Sequence, residues 1–259
     1  MVIRRIQDHV KTHNWFAVGV DVAIVVVGVF LGTQATNWND ARLAANEAHS
    51  NRERLIEDVA ANQIDFAARK AYYEDVRRHA LAALKAFVSH DSNVDEAFLI
   101  DAYQASQINA RVLRRSTYDE LVAAGELTKF GDRPLRDLAE TYYQGLQVLD
   151  SDNQRLPPYR DRVRRELPYE IVARIHERCG DLISETHGTV IFKLPATCHL
   201  SLDRPLIEQG VRQLKSAPEM DRDLSRYIVD IDQRLRNFAG SERRGRQFLA
   251  ALRKANGAL

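Results

Sequence analysis

One uninterrupted apolar run near the start of the chain limits what the chain can fold into more than any other feature. The run covers residues 15–35, WFAVGVDVAIVVVGVFLGTQA, and holds a single charged side chain. As an α-helix rising ~1.5 Å per residue, it matches the ~30 Å hydrocarbon core of a bilayer. A buried core helix or strand is the alternative, but a valine-rich run of this length is uncommon inside a soluble domain. We therefore predict a transmembrane helix over residues 15–36.

The two tryptophans of the chain flank this run. Trp15 lies at its start and Trp38 lies just after its end. At a membrane interface an indole buries its ring and keeps its N–H group near water. We predict that both side chains anchor the helix at the two interfaces.

The flanks of the run bear on its orientation and its processing. Basic residues precede and follow it in equal number: Arg4, Arg5 and Lys11, then Arg42, Arg52 and Arg54. A cleavable signal peptide is an alternative, with Thr33-Gln34-Ala35 as a weak cleavage site, but the run exceeds the usual ~7–15-residue apolar region. A long following domain is translocated largely regardless of its charges. We predict a short cytoplasmic tail over residues 1–14, an uncleaved span over 15–36 and an extracytoplasmic soluble domain over 37–259.

Asp21 is the one carboxylate in the run. A carboxylate at the centre of a spanning helix costs roughly 2.5–3.5 kcal/mol on insertion scales. Asp21 lies near the Trp15 end, so one interpretation places it close enough to the headgroups to be hydrated or protonated. At 100° per residue, however, Gly28, Gly32 and Ala35 lie within about 40° of Asp21 on the helix.

That shared stripe favours a second interpretation. Gly28 and Gly32 form a Gly-x-x-x-Gly pattern, which lets two helices approach closely in lipid. Asp21 on the same face would then point at a partner rather than at lipid. We therefore predict helix pairing through Asp21, Gly28, Gly32 and Ala35, in a homo-oligomer or with another membrane protein.

Composition and periodicity after Trp38 predict an all-α domain. Twelve glycines and seven prolines in 259 residues, with 28% charged residues, are typical of a helical protein. The net charge of +1 gives no general attraction to nucleic acid, so no nucleic-acid partner is predicted. One long helix should continue from the span, because its residues repeat at 4-3 spacing. The stripe comprises Leu55, Val59, Asn62, Phe66, Arg69, Tyr73, Val76, Ala80, Leu84 and Phe87.

Helix start and stop signals divide the rest of the chain. Residues 180–206 are short, β-branched and bounded by glycine and proline, so they predict a loop-rich segment with one short strand. We predict a second helix from about 95 to 125, with Ser92 as cap and Gly125 as stop, and a third from Pro134 to Pro157, with Asp132 as cap. A fourth should run from 159 to 179 with an interruption at Pro168. A last one should run from about 216 to 254 with a break at Gly240. The expected architecture is an antiparallel four- or five-helix bundle.

Two segments resemble a family of uncharacterised bacterial membrane-anchored proteins. They are GVDVAIVVVGVFLGTQATNWND and STYDELVAAGELTKFGDRPLRDLAETYYQ. The positions that carry the resemblance are Asp21, Asn37, Trp38, Asn39, Tyr118, Leu121, Gly125, Leu127, Leu135, Arg136, Tyr142 and Tyr143. Asp21 stands where the family pattern has glutamate, and the chain after Pro157 shows no resemblance. The resemblance implies a bacterial inner-membrane anchor and a helical fold; with the orientation above, the domain is expected in the periplasm. It implies no activity.

Residues suited to chemistry gather in one region: His176, Cys179, His187, Cys198 and His199. Two cysteines in an extracytoplasmic domain most simply form one disulfide, which closes a loop of roughly 20 residues and contributes ~3 kcal/mol. The alternative is a metal-dependent or thiol enzyme that uses His176, Cys179, His187 and Cys198. This spacing matches no standard zinc pattern, and adjacent Cys198 and His199 cannot easily both bind one ion. No metal, cofactor or catalytic residue is therefore predicted.

Two further residue groups have structural explanations. The arginines at 111, 114, 115, 160, 162, 164 and 165 are interpreted as solvated helix faces with intrahelical ion pairs, the alternative being an anionic ligand or lipid headgroups. Tyr72-Tyr73 and Tyr142-Tyr143 are interpreted as packing residues. The sequence contains no phosphate-binding glycine loop, Gly-x-Ser-x-Gly or His-Glu-x-x-His motif. The chain is therefore predicted to be a membrane-anchored helical sensor, scaffold or partner-binding module.

Overall fold

The structure is a computed structural model that describes residues 15–89 and 95–257. The predicted tail over residues 1–14 and the candidate cap Ser92 lie outside these residues. The described helices are α1 Trp15–Val88, α2 Glu96–Gln104, α3 Ser116–Ala123, α4 Arg133–Asn153, α5 Pro158–Glu166, α6 Tyr169–Cys179, α7 Arg204–Ser216 and α8 Met220–Asn256. An antiparallel hairpin joins β1 Leu182–Thr186 to β2 Thr189–Lys193. The predicted all-α fold class is confirmed.

The chain divides into two compact units, one ending at Asn51 and the other beginning at Arg52. The first unit contains the apolar part of α1. An 18-residue window there has a mean hydropathy of 2.0, and none of it is buried. Trp15 and Trp38 are 72% and 67% exposed, and the Arg42 guanidinium lies 5.8 Å from the centre of the Trp38 ring. This helix is long and apolar enough to be a candidate membrane span.

In the second unit, the predicted stripe of α1 forms one wall of the core. Its members from Leu55 to Ala80 are all buried, and Leu84 and Phe87 pack at the edge of the core. The two polar members, Asn62 and Arg69, are as buried as their apolar neighbours. The periodicity therefore identified the buried face correctly, and it also placed one arginine inside the domain.

Helices α4 and α8 pack against each other through aromatic side chains. The ring of Tyr142 lies 5.7 Å from that of Phe248, and Tyr143 stacks on Tyr118 at 4.1 Å. Tyr142 and Tyr143 are buried, and burial raises the pKa of both phenols above the usual value. The interpretation of this tyrosine pair as packing residues is confirmed.

The predicted break at Gly240 is wrong, because α8 continues through it to Asn256. A single glycine costs a helix only about 1 kcal/mol relative to alanine. Burial of apolar side chains on both sides of Gly240, including Phe238 and Phe248, outweighs that cost. One face of α8, which carries Leu224, Ile228, Ile231 and Phe238, is buried.

The single helix predicted from about 95 to 125 is also wrong. The structure has α2, which Asp95 caps through a bond from the Ala97 N–H group, then an irregular segment, then α3. We call residues 106–115 the connecting segment. The stop at Gly125 is confirmed: its φ is +69°, and the Glu126 N–H group donates to the Leu121 carbonyl at 2.9 Å, which closes a Schellman motif.

Two other predicted helix boundaries are confirmed. Asp132 caps α4 by accepting a bond from the Leu135 N–H group at 3.1 Å, as predicted. The interruption at Pro168 separates α5 from α6, also as predicted. The segment 180–206 contains two strands rather than one, joined by His187 and Gly188, which both have positive φ. Helix α7 was not predicted. Its middle residue Gly210 packs against Ile171 and Leu99, so close helix contact explains the glycine there.

Candidate functional site

A cavity of about 480 Å³ lies between α1, the connecting segment and the β-hairpin. We call it the hairpin cavity. Its lining residues are Ala61, Asn62, Asp65, Arg111, Val112, Arg114, Gly188, Thr189, Val190 and Phe192. They combine apolar side chains with a few convergent polar groups, which is the usual character of a small-molecule site.

Asn62 of α1 fixes the connecting segment at one edge of the cavity. Its side-chain amide donates to the Arg114 carbonyl at 2.7 Å and accepts from the Arg114 N–H group at 2.8 Å. Farther along, the Asn109 N–H group donates to the Tyr73 hydroxyl at 3.2 Å. These side-chain bonds satisfy backbone groups that a helix would otherwise pair internally. They explain why residues 106–115 can lie in an irregular conformation against α1.

Asp65 lies between two arginines at the cavity wall. Its carboxylate is 2.6 Å from Arg69 Nε and 2.5 Å from Arg111 Nη2. The Asp65 side chain is 6% exposed and that of Arg69 is 0% exposed, so this ion pair is almost fully removed from water. Neither Nη1 nor Nη2 of Arg69 has a hydrogen-bond partner among the described residues. A buried carboxylate and a buried guanidinium thus depend on each other for charge compensation.

Asp150 of α4 adds a second carboxyl to this buried network. Burial raises the pKa of Asp150, while the positive charges of Arg69 and Arg115 oppose that shift. The nearby negative charge of Asp65 acts in the same direction as burial. Asp150 is half-buried, and its negative charge acts on Arg69 without a direct ion pair between the two side chains.

Two arginines of the connecting segment bind the hairpin. Arg111 donates to the Val190 carbonyl, and its guanidinium lies 5.6 Å from the centre of the Phe192 ring. Arg114 Nη2 donates to the Gly188 carbonyl at 2.7 Å. Neither arginine lies on a helix, so the expected intrahelical pairing does not apply to them. Arg115, in contrast, does pair with Asp119 four residues later at 2.7 Å.

The second arginine run also contacts other elements more than its own helix. Arg160 donates to the Ser106 carbonyl at 2.6 Å, and Arg162 pairs with Asp223 of α8. Arg164 lies over the Tyr103 ring at 4.8 Å from its centre. These side chains join α5 to its neighbours, so interpreting this run as a solvated face describes it incompletely.

The histidines and cysteines that are close in the sequence do not form one site; each has its own contacts. Cys179 and Cys198 lie at disulfide distance, with 5.5 Å between their Cα atoms. His176 Nε2 is hydrogen-bonded to the Tyr103 hydroxyl, and His187 lies in the hairpin turn. Among residues 15–89 and 95–257, no group of three or more histidine, cysteine, aspartate or glutamate side chains is arranged to hold a metal ion.

A smaller cleft of about 240 Å³ contains His199 and Cys198 together with an imidazole–carboxylate pair. His79 Nδ1 lies 2.6 Å from Asp101 Oδ1, which fixes the orientation of the ring. Its other nitrogen, Nε2, lies 3.5 Å from Arg78 Nη2. Since no hydroxyl or thiol in the described part of the chain is hydrogen-bonded to this imidazole, the pair lacks the nucleophile that a hydrolytic triad requires.

Comparison with known proteins adds no relative. No protein-family model matches the chain, and neither does any curated protein or solved structure. The hairpin cavity borders a buried ion pair, that of Asp65 with Arg69, so we take it as the candidate functional site.

Proposed function

We propose that the chain is a membrane-anchored binding module. The helix over residues 15–36 spans the bilayer, and the helical domain acts as a sensor, scaffold or partner-binding unit outside the cytoplasm. The observation that carries the proposal is the apolar window of α1, of which no part is buried within the chain. Exposing apolar surface to water costs roughly 25 cal/mol per Å², so covering a surface of this length with lipid is favourable.

The cysteine pair supports the proposed orientation. Disulfides form and persist in the periplasm and other oxidising compartments and are rare in the cytosol. Cys179 and Cys198 lie at disulfide distance, and no other cysteine occurs in the chain. The proposal includes a location in the bacterial inner membrane, which the resemblance of the span and the central region to bacterial anchored proteins supports.

The anchor is tested by intact-mass analysis and alkaline carbonate extraction of the protein expressed in bacteria. We expect a mass near 29.5 kDa that retains residues 15–36, and retention of the protein in the carbonate-washed membrane. A matched variant with Val26→Asp and Phe30→Asp should appear in the soluble fraction or fail to be exported. Loss of residues 1–35 from the mature protein would instead identify a signal peptide and overturn the anchor.

We further propose that the spanning helix pairs with another helix through the stripe of Asp21, Gly28, Gly32 and Ala35. Apart from its chain neighbours and the backbone of its own helix, a Cβ atom built on Gly28 or Gly32 meets no atom of the described residues within 4 Å. Packing inside the chain therefore does not require glycine at either position. Close approach of a second membrane helix, either from another copy or from a different protein, would explain both.

Replacing Gly28 and Gly32 with isoleucine is expected to abolish self-association of the span in a membrane two-hybrid reporter. The added side chains would hold the two backbones apart. The control is Ala23→Ile with Phe30→Ile, because these positions lie on the opposite face of the helix. An unchanged reporter signal in the glycine variant would rule out pairing of two copies through this stripe.

A further inference from the structure

We propose that the hairpin cavity binds a small organic monoanion, a carboxylate attached to an apolar body. The inference deepens the proposed binding role and rests on it, but it does not depend on the membrane anchor. Its basis is the juxtaposition of an unpartnered buried hydroxyl, a guanidinium with free donors and an apolar wall. These features come from three elements around the cavity, namely α1, the connecting segment and the hairpin.

The hydroxyl is that of Thr189, the first residue of β2. Thr189 is 6% exposed, and its Oγ1 atom has no hydrogen-bond partner among the described residues. A buried hydroxyl without a partner costs roughly 1–3 kcal/mol. Thr189 also lines the hairpin cavity, and we infer that a ligand oxygen there accepts a hydrogen bond from this hydroxyl. The hydroxyl is therefore a donor positioned for a group from outside the chain.

The guanidinium is that of Arg114. It donates through Nη2 to the Gly188 carbonyl, and it makes no ion pair with any carboxylate in the part of the chain that the structure describes. Its Nε and Nη1 atoms donate to no acceptor among residues 15–89 and 95–257 and are available to a ligand. A guanidinium presents its donors in a planar fork that matches the two oxygens of a carboxylate. Arg114 can thus bind an anion while it continues to hold the hairpin.

The charge of the cavity wall matches a single negative charge. Asp65, Arg111 and Arg114 are its only charged members, so the wall carries one net positive charge. Within the wall, Asp65 pairs with Arg111, which leaves Arg114 without an ion-pair partner among the described residues. A carboxylate neutralises the remaining charge. A phosphate monoester, which carries nearly two negative charges at neutral pH, would leave an excess that no wall residue compensates.

The apolar part of the cavity wall indicates the chemical character of the ligand's body. Ala61, Val112, Val190 and Phe192 contribute apolar surface to the cavity. Its volume of about 480 Å³ lies within the range of small-molecule sites, roughly 300–1,000 Å³. An inorganic anion would leave most of this surface without contacts. A compact aliphatic or aromatic carboxylate fits both the charge and the space.

A second basic groove provides an internal control. It lies between α4 and α8, measures about 550 Å³ and is lined by Arg236, Arg243 and Arg244. Like Arg114, these arginines are exposed, but among the described residues none of the groove's side chains has a buried polar atom without a hydrogen-bond partner. The groove has positive charge but lacks the buried donor. Substituting one of its arginines therefore tests whether positive charge alone is enough to bind the anion.

The test is saturation-transfer NMR on the full chain in lipid nanodiscs, with benzoate as the probe and empty nanodiscs as the blank. Benzamide, which has the same shape without the charge, and phenyl phosphate are the comparison probes. We expect benzoate to bind at least tenfold more tightly than either one. Loss of one charged hydrogen bond accounts for a change of this size.

Three variants locate the binding. Arg114→Gln is expected to weaken benzoate binding by at least tenfold, and Thr189→Val by roughly threefold to tenfold. Arg244→Gln should leave it unchanged. Arg114→Gln retains the backbone bonds to Asn62, and helical content by circular dichroism reports whether each variant remains folded.

The outcomes are distinct. No benzoate binding at 10 mM, or equal binding by Arg114→Gln and the parent chain, overturns the inference. Tighter binding of phenyl phosphate overturns the charge assignment on which it rests. If the protein stays in the carbonate-washed membrane and its mass includes residues 15–36, but benzoate does not bind, the ligand inference fails and the proposed anchor stands.

Discussion

Replacing Asp65 with asparagine is expected to lower the free energy of unfolding by about 3–5 kcal/mol. Arg69 is completely buried, and Asp65 is the carboxylate that contacts it, 2.6 Å from its Nε atom. Asparagine has nearly the same shape but no charge, so the variant leaves the guanidinium in the interior without its ion-pair partner. Asp150 interacts with Arg69 but forms no ion pair with it within 4 Å, so it compensates only part of the loss.

Urea unfolding of the full chain in detergent, followed by far-ultraviolet circular dichroism, measures this change. The matched control is Asp137→Asn, because Asp137 lies 3.9 Å from Arg133 and both side chains are mostly exposed. That variant should change stability by less than about 1 kcal/mol.

A double variant isolates the cause of the loss. Asp65→Leu with Arg69→Met removes both charges and should be more stable than Asp65→Leu alone. If the double variant is no more stable, the destabilisation does not come from an uncompensated arginine, and the account of this network is wrong.

Reduction of the cysteine pair is expected to lower the free energy of unfolding by ~3 kcal/mol. Cys179 and Cys198 are 19 residues apart in the sequence, and closing a loop of this length removes conformational entropy from the unfolded chain. The bond would also attach the end of α6 to the segment that precedes α7.

The measurement is the urea midpoint of the full chain with and without dithiothreitol. Cys198→Ala should reproduce the reduced midpoint, because Cys198 is only half-buried and the substitution removes little packing. Reductant should have no further effect on that variant. A parent midpoint that does not change on reduction would show that the two thiols are not bonded.

Much of the helical fold follows from local sequence signals. The 4-3 spacing along α1 identified its buried face because one helix contributes the whole pattern. Asp132 and Pro134 identified the start of α4 because capping depends on neighbouring residues. These features need no information from distant parts of the chain.

The errors arise where distant contacts decide the conformation. The connecting segment is irregular because Asn62, 52 residues earlier, bonds to the backbone of Arg114. Nothing local to Arg114 indicates that contact. The hairpin was incompletely predicted because its turn residues, His187 and Gly188, lack the asparagine–glycine or aspartate–glycine signal of a tight turn.

The candidate site was only partly visible in the sequence. Arg69 appears in the apolar stripe at the correct spacing, and Asp65 lies one helical turn before it, so a buried ion pair was open to inference. The cavity itself was not. Arg111 lies 46 residues from Asp65, and Val190 lies 79 residues beyond Arg111. Only the folded chain brings these residues together.

Thiol labelling in bacterial spheroplasts tests the central claim most directly. A membrane-impermeant maleimide is applied to intact spheroplasts with and without reductant, and modification of Cys198 is read by mass spectrometry. We predict labelling in intact spheroplasts only after reduction, since the anchored domain should lie outside the cytoplasm with its cysteines bonded. Labelling that requires lysis but no reductant would place the domain in the cytosol with free thiols, and would contradict both the orientation and the disulfide.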